Sequence, residues 1–465
     1  MIEQFREYAE LGCLIDPSSG NEVGKAKLTR AELAEGVGIF GAGYEVGAMV
    51  LAEGAKLMGF KVFAVDPFGK FWPLLNAAAE SRLYLLGEHV LNPLKPEGGD
   101  AEAYVDLLCE ALSHSFGTNL QTISDLKGAV LDALGRAEGE LTLLDLASLF
   151  EAQSELSPQL TAYGALQPLL VGRSAASFKG RQTIDMGGAL GGISVLELSS
   201  VQGRNFKVLA YCLAIAKLLD YARQARERVL LVADSPEIVW PDLSAQRLDS
   251  RSAFFYLHAF QMLRRSGIRV CLCSKSPTWI EKRVVSNAGT LIHFRATNPY
   301  EAAAASNLMG RKVDADSFAS LGTSFAYVLK PGSLKPELCR FSRPRWILEK
   351  VGKEDVAARN SMLGILPTSQ KPQARCKISD DFAEDAESAY GVLGEVRASG
   401  GVPFQDYGDA EPGRRRLVGK LLRLQYLKLT NSEIDGSRLT MLALTEKGDR
   451  AMKEFEKIKG GDKAR

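Results

Sequence analysis

The sequence predicts an α/β protein: a parallel sheet with a helical insertion, followed by a small separate C-terminal unit. Three observations predict it. Residues 36–71, "GVGIFGAGYEVGAMVLAEGAKLMGFKVFAVDPFGKF", run strand, glycine-rich turn, amphipathic helix, strand, which is a βαβ unit with a right-handed crossover. Residues 194–297 alternate apolar strands with long helices, the rhythm of a doubly wound domain. Residues 99–170 carry apolar residues three and four apart and read as helices inserted between strands of one sheet.

In order, "GVGIF" and "KVFAVD" are the first parallel strands, and "VGAMVLAEGAKLMG" is the helix between them. The insertion reads as "AEAYVDLLCEALSHSF", "LKGAVLDALGRAE", "LTLLDLASLFEAQ" and "LTAYGALQPLLVG", with Thr142 as a helix cap, and the glycine-rich "DMGGALGGIS" ends it. "SVLELSSV", "RVLLVAD", "IRVCLCSKS" and "TLIHFRA" are further strands; "NFKVLAYCLAIAKLLDYARQ" and "RSAFFYLHAFQMLRRSG" are the helices among them. "RVLLVAD" is apolar throughout, as a strand buried on both faces is. Residues 352–380 are polar, lose periodicity and carry Pro367 and Pro372, so they read as a linker. The expected divisions are 1–98 and 181–351 for the two halves of the core, 99–180 for the insertion, 352–380 for the linker and 381–465 for the last unit.

Bulk properties narrow the function classes. Apolar residues are 46% and charged residues 24% of the 465, an ordinary soluble composition. The formal charge of +1 leaves no global field for nucleic acid, so any basic surface is local. No stretch reaches the roughly 18 apolar residues of a membrane helix, and "MIEQFREYAELG" lacks the plan of a signal peptide. A cytoplasmic protein without membrane insertion is expected. Cys271 and Cys273 share one face of a strand, but with no second pair or nearby histidine they read as reduced core thiols, and no metal site is expected.

The chemistry-bearing pattern is the glycine turn. A phosphate-binding loop follows GxxxxGK[ST]: backbone amides wrap the phosphates, the lysine reaches the β- and γ-phosphates, and the hydroxyl holds Mg²⁺. Laid on "GAGYEVGA" from Gly41, Val46 takes the second glycine position, Gly47 the lysine position and Ala48 the hydroxyl position. Glu45 adds a negative charge where a polyanion would sit. Gly41 and Gly43 still permit a tight turn, and the helix N-terminus still favours an anion. The plainer reading is the first turn of an α/β domain, with glycines for close packing. "VLLVADSPEIVW" ends an apolar strand in Asp234, where an Mg²⁺-holding acid would stand, but Ser235 follows it in place of a glutamate.

In order and spacing, residues 10–350 resemble the HerA/FtsK superfamily, in particular HerA-like helicases and conjugation-type secretion ATPases. "GCLIDPSSGNEVGKAKLTRAELAEGVGIFGAG" is similar to the strand pair and loop that open such domains. "VFAVDPFGKF" resembles "viDpkGEy", keeping Asp66, Pro67 and Gly69 with Lys70 in place of the acid. "HVLNPL" resembles the Asn-Pro segment that opens the insertion, "VLELSSV" the strand after it, and "VLLVADSPEIV" the family's "lliiDEah". "CLCSKSPTWI" resembles the sensor strand, with Lys275 for its glutamine, and "NAGTLIHFRATNPYEA" the closing strand with its arginine.

The resemblance implies a RecA-like P-loop NTPase sheet. The departures, Gly47, Ala48, Ser235 and Lys275, cluster at the chemistry and imply a pseudo-ATPase whose hydrolysis is lost. A vestigial or weak nucleotide site is implied at Gly41, Ala42, Gly43, Gly47, Ala48, Asp66, Asp234 and Lys275, taking ATP, if any, without tightly held Mg²⁺. Family members form rings around DNA or pump it, so a homo-oligomeric ring, an active ATPase partner and DNA are the implied associates. Arg264, Arg265 and Arg295 are the candidates for reaching a neighbouring subunit's site; as plain surface charges they need no such role. Two alternatives stay open: an active DNA translocase with an atypical loop, and a DNA-binding regulator that uses the core as an oligomerisation platform.

The C-terminal unit reads as helix ("AESAYGVLGEVRASGG"), helix ("GRRRLVGKLLRLQYLKLTN", apolar at Leu417, Leu421, Leu424 and Leu427), then strands and a helix. "LTMLALTEKG" resembles the wing and return of a winged helix-turn-helix. From Gly413 onward fourteen Lys and Arg stand against seven Asp and Glu, a local basic footprint. Arg414, Arg415, Arg416, Lys420, Arg423 and, near the wing tip, Arg438 are the expected phosphate contacts on DNA. A protein-docking module of the same shape is the competing reading.

Overall fold

Unbroken apolar runs make β3 (Val37–Phe40), β4 (Lys61–Asp66), β6 (Ile193–Glu197), β7 (Val229–Asp234) and β8 (Arg269–Ser274), and the fold covers these strands on both faces. With β5 (Arg82–Leu85) and β9 (Thr290–His293) they form a parallel sheet in the order β9-β3-β8-β7-β4-β6-β5. An antiparallel extension of β10 (Phe325–Leu329), β11 (Glu337–Phe341), β1 (Tyr8–Ile15) and β2 (Glu22–Thr29) continues from β9 and completes eleven strands. This computed structural model describes residues 5–462 except 99, 119, 138, 153–165, 226, 243–252, 366, 368–381, 383–384, 400–401, 404–411, 425 and 435–436.

Alternation along the strands sends successive side chains to two cores. Val62 and Ala64 of β4 face the core that holds α2 (Tyr44–Leu57). Phe63 and Val65 face the core shared with α3 (Ala101–Phe116), α4 (Leu120–Arg136), α5 (Leu143–Ala152) and α6 (Arg204–Ala222). Helices α3–α5 lie between β5 and β6 in the chain. Thr142 caps α5, accepting from Asp145 N while its own amide donates to Asp145 Oδ2 at 2.9 Å. Part of the "LTAYGALQPLLVG" segment lies outside the described residues.

A buried polar clamp fixes where the insertion starts. Lys217 Nζ, fully buried on α6, donates to Lys95 O at 2.6 Å and pairs with Glu97 Oε1 at 3.3 Å. Asp220, one turn on, accepts from the amides of Glu97 and Gly98 at 2.7 and 2.6 Å. Burial holds the Lys217 ammonium down to about 8, against the pull of Glu97.

Two expectations need correction. The stretch 352–380 begins not as linker but as a helix, α8 (Lys353–Met362), and its residues 368–380 lie outside the described residues. Asp355 Oδ2 takes Gly352 N at 2.7 Å to start it. Val356 enters the core, Asn360 Nδ2 donates to Leu83 O at 2.8 Å, and Arg359 donates to Ala78 O and Ala79 O. The helix buries only Val356 and Asn360, so it shows no apolar stripe. The N-terminal unit runs to Thr368.

The second correction is Leu427, which does not extend a helix. The C-terminal unit, from Ser369, carries α9 (Ala386–Ala398), β12 (Val402–Pro403), α10 (Pro412–Arg423), β13 (Leu427–Ile434), β14 (Ser437–Leu444) and α11 (Glu446–Asp462), with strand order β12-β14-β13. Leu427 opens β13 and pairs with Leu444. Tyr426 N donates to Leu421 O as the helix ends, and Leu427 after it is buried in the strand. Leu393, Leu421, Tyr426 and Leu442 form this unit's own core.

Candidate functional site

The glycine loop sits at the carboxyl ends of the parallel strands, where open α/β sheets place ligands. Gly41 and Gly43 take φ of 89° and 97°, conformations only glycine adopts without strain. A Cβ on Gly41 would lie 2.7 Å from Phe294 O, so the loop is pressed against the end of β9.

The loop is also short. Helix α2 begins at Tyr44, three residues after Gly41, whereas the motif keeps four residues between its glycines in the loop. Four of the amides that would cradle phosphate are donated within the chain. Gly41 N donates to Lys275 O at 3.1 Å and Ala42 N to Arg295 O at 2.8 Å; Tyr44 N donates to Gly41 O and Val46 N to Gly43 O. At the lysine position, Gly47 is covered by the Phe294 ring: a Cβ there would lie 2.7 Å from Phe294 Cε2. Phe294 packs on Phe341 with ring centroids 4.8 Å apart. The cavity that remains, lined by Ala42, Gly43, Val46, Phe294 and Arg343 among others, measures about 160 Å³.

Beside this loop a cation already stands. Asp66, at the end of β4, is fully buried and accepts from Phe68 N, Lys70 N and Phe71 N at 3.2, 3.0 and 2.7 Å. That tight turn delivers Lys70 to the carboxyl end of β7. There Lys70 Nζ donates to Tyr44 Oη and lies 3.7 Å from both Asp234 Oδ1 and Glu45 Oε1. Tyr44 Oη in turn donates to Asp234 Oδ1 at 2.6 Å. Tyr44 and Asp234 are both fully buried. Burial pushes the Asp234 carboxyl up to about 7, against the opposing pull of Lys70. Burial likewise raises Asp66 and Glu237. Ser235, at the glutamate position, has φ 49° and ψ 53°, one of two positive-φ residues other than glycine among those described.

The structure therefore brings together Gly41, Ala42, Gly43, Gly47, Ala48, Asp66 and Asp234. Ala48 is buried within α2. Lys275 contributes its carbonyl, and its side chain is exposed. Arg295 is also exposed and is joined to the loop only by backbone. Arg264 and Arg265 close α7 (Ala253–Arg265) at the opposite, amino-terminal end of the sheet, and Arg264 donates to Asn287 Oδ1 at 2.5 Å. Sequence reasoning missed Tyr44 and Phe294 and took Lys70 only as a lost acid. The legible signal was the joint appearance of an acid in the loop, Glu45, and a lysine at the end of "DPFGK". Cys271 Sγ and Cys273 Sγ are buried 3.5 Å apart on β8.

In the C-terminal unit Arg414 is exposed and pairs with Glu395. Lys420 Nζ lies 5.0 Å from the centroid of the Phe382 ring. Arg415, Arg416 and Arg423 are on α10, and Arg438 is paired across the β13/β14 hairpin with Glu433.

Among the solved structures that share this fold are VirB4 and TrwB. VirB4 of Thermoanaerobacter pseudethanolicus aligns with a TM-score of 0.57 at 12% identity, covering 74% of this chain and 100% of that one. The plasmid coupling protein TrwB, in complex with the non-hydrolysable ATP analogue ADPNP, aligns with a TM-score of 0.50 at 13% identity, covering 74% and 96%. No protein-family model matches the chain, and no curated sequence matches it significantly. The RecA-like P-loop NTPase fold is thus shared with VirB4 and TrwB, and at these identities the likeness is one of fold.

Proposed function

We propose that this protein is a catalytically degenerate ATPase of the HerA/FtsK type, whose core serves as an assembly scaffold in a DNA-processing or DNA-translocation system. One observation carries the reading: Lys70, Tyr44 and Asp234 fill and neutralise the place where a Mg²⁺-nucleotide would be held. Three further features support it. Four loop amides already have acceptors. The adjoining cavity of about 160 Å³ is well under the roughly 300–1,000 Å³ of small-molecule sites. The residue positions that would supply the lysine, the Mg²⁺ hydroxyl and the catalytic acid hold Gly47, Ala48 and Ser235.

With no means of driving hydrolysis, binding is what such a core offers. The HerA/FtsK resemblance makes a ring of identical subunits, or a ring shared with an active ATPase, the form of that binding. The C-terminal unit, read as a winged helix, brings DNA to it through Arg414, Arg415, Arg416, Lys420, Arg423 and Arg438. Its order of helix, short strand, helix and two-stranded hairpin supports that reading.

A second reading, an active translocase, draws on Lys70 itself, because an ammonium has been supplied to the site from elsewhere in the chain. Against it, that ammonium is engaged by Asp234, Glu45 and Tyr44 rather than facing the loop amides. Steady-state phosphate release from the purified chain, with Mg²⁺, ATP and duplex DNA, separates the two. The degenerate reading predicts no turnover above the buffer rate. Turnover that vanishes in Asp234→Ala establishes an active ATPase and overturns the degenerate reading.

A further inference from the structure

We propose that the amino-terminal edge of the parallel sheet, at the end away from the glycine loop, is a second polyanion site that holds the phosphodiester backbone of nucleic acid. The inference stands on a separate part of the fold and does not depend on the state of the nucleotide site.

A cleft of about 750 Å³ opens there, lined by Arg30, Arg223, Arg228, Arg265 and Arg269, with Glu227 as the one carboxylate among its described lining residues. The topology builds this concentration. Strands β8 and β7 are neighbours, and Arg269 and Arg228 stand at their amino ends. Arg223 follows the end of α6, which leads into β7, and Arg265 ends α7, which leads into β8. Arg30 starts α1 (Arg30–Ala34), which leads into β3 on the other side of β8. Strands lie about 4.8 Å apart, so guanidinium groups rising from neighbouring strand ends form a row.

Helix dipoles explain only part of the row. A cation is favoured at a helix C-terminus, which suits Arg223 and Arg265. Arg228 and Arg269 open strands, and Arg30 occupies the first turn of a helix, where a cation is disfavoured. None of the five forms an ion pair among the described residues, and Arg30 Nε is buried without a partner. Five guanidiniums without an ion pair, around one carboxylate, repel one another unless an anion joins them. Guanidinium forks match phosphate oxygens in two-point contacts.

Nucleic acid fits better than an acidic protein segment. A protein interface draws its affinity from apolar or aromatic anchors in pockets. Among the described lining residues the one aromatic, Phe60, is only 5% exposed, and the others are small or polar. The same lack of a stacking platform means that backbone, not bases, is held.

The test is made on the full chain with Arg223, Arg228 and Arg265 changed to Gln; all three are exposed and form no ion pair among the described residues, so the fold is undisturbed. Duplex DNA binding is measured across a salt series, in the native background and in one carrying Arg414→Gln, Arg415→Gln and Arg416→Gln. Each lost phosphate contact lowers the steepness of log K against log salt by about 0.9, so the triple change is expected to lower it by about 2.7 in both backgrounds. The Arg→Lys counterparts are expected to keep the slope. An unchanged slope and affinity overturn the proposal. So does arginine-dependent binding of a poly-glutamate peptide without binding of DNA, which assigns the cleft to an acidic protein.

Discussion

Asp234→Asn is expected to stabilise the protein at pH 8 by as much as about 4 kcal/mol. Asp234 is fully buried, and burial raises its carboxyl from 3.8 to about 7, a difference of some three pKa units at about 1.4 kcal/mol each. The sign follows from proton counting. Between pH 3.8 and 7 the folded chain holds a proton at Asp234 that the unfolded chain has released, so stability from this group is greatest below 3.8 and is lost as pH rises through 7. Asparagine never ionises and does not suffer that loss. Its advantage over aspartate is therefore full at pH 8 and fades toward pH 4. The value of about 7 already includes the pull of Lys70, whose side chain is about a quarter exposed. Paired denaturant unfolding of the native chain and the Asp234→Asn variant at pH 4.5, 6 and 8 reads the effect. A variant destabilised at pH 8, or a gain that does not change with pH, contradicts the account of this carboxylate.

Gly47→Lys, which writes the missing lysine back, is expected to destabilise the protein by about 2–3 kcal/mol and to restore no hydrolysis. Two effects oppose each other. Replacing a helical glycine gains up to about 1 kcal/mol from backbone entropy. Against it, a Cβ at Gly47 lies 2.7 and 2.9 Å from two carbons of the Phe294 ring and 3.3 Å from Ile39 Cγ2. Phe294 cannot withdraw cheaply: it is 1% exposed, packs on Phe341, and its amide is bonded to Phe40 O. Overpacking of this kind costs about 1–3 kcal/mol, and an ammonium driven into a dry contact adds to it. The overpacking wins. Adding Phe294→Ala to Gly47→Lys is expected to relieve the clash, which thermal melting of the single and double variants measures. A single variant as stable as the native chain, with ATP turnover, refutes this.

The parallel sheet was legible because it obeys simple rules. Strands buried on both faces are unbroken apolar runs, as "RVLLVAD" is, and glycine punctuates the first crossover. The insertion was legible from helical spacing. What escaped had no periodic signature. Helix α8 buries only one valine and one asparagine, so its polar sequence passed for linker. Leu427 sits where two periods coincide, and only its partner in β14 decides that it is strand. At the site, the missing lysine and hydroxyl could be read directly, since they are absences at fixed spacing. What replaced them could not be. Tyr44 and Asp234 are 190 positions apart, and Lys70 and Phe294 come from different crossovers; only the assembled sheet puts them against one loop and closes it.

That closure is the central claim, and equilibrium nucleotide binding tests it most directly. Calorimetric titration of the full-length protein with ATP, with and without Mg²⁺, is predicted to give no saturable heat, and none in the Lys70→Met variant either, because the loop amides remain engaged within the chain. Stoichiometric, Mg²⁺-dependent binding of ATP that Lys70→Met abolishes would contradict it, and would make Lys70 the lysine of a working site.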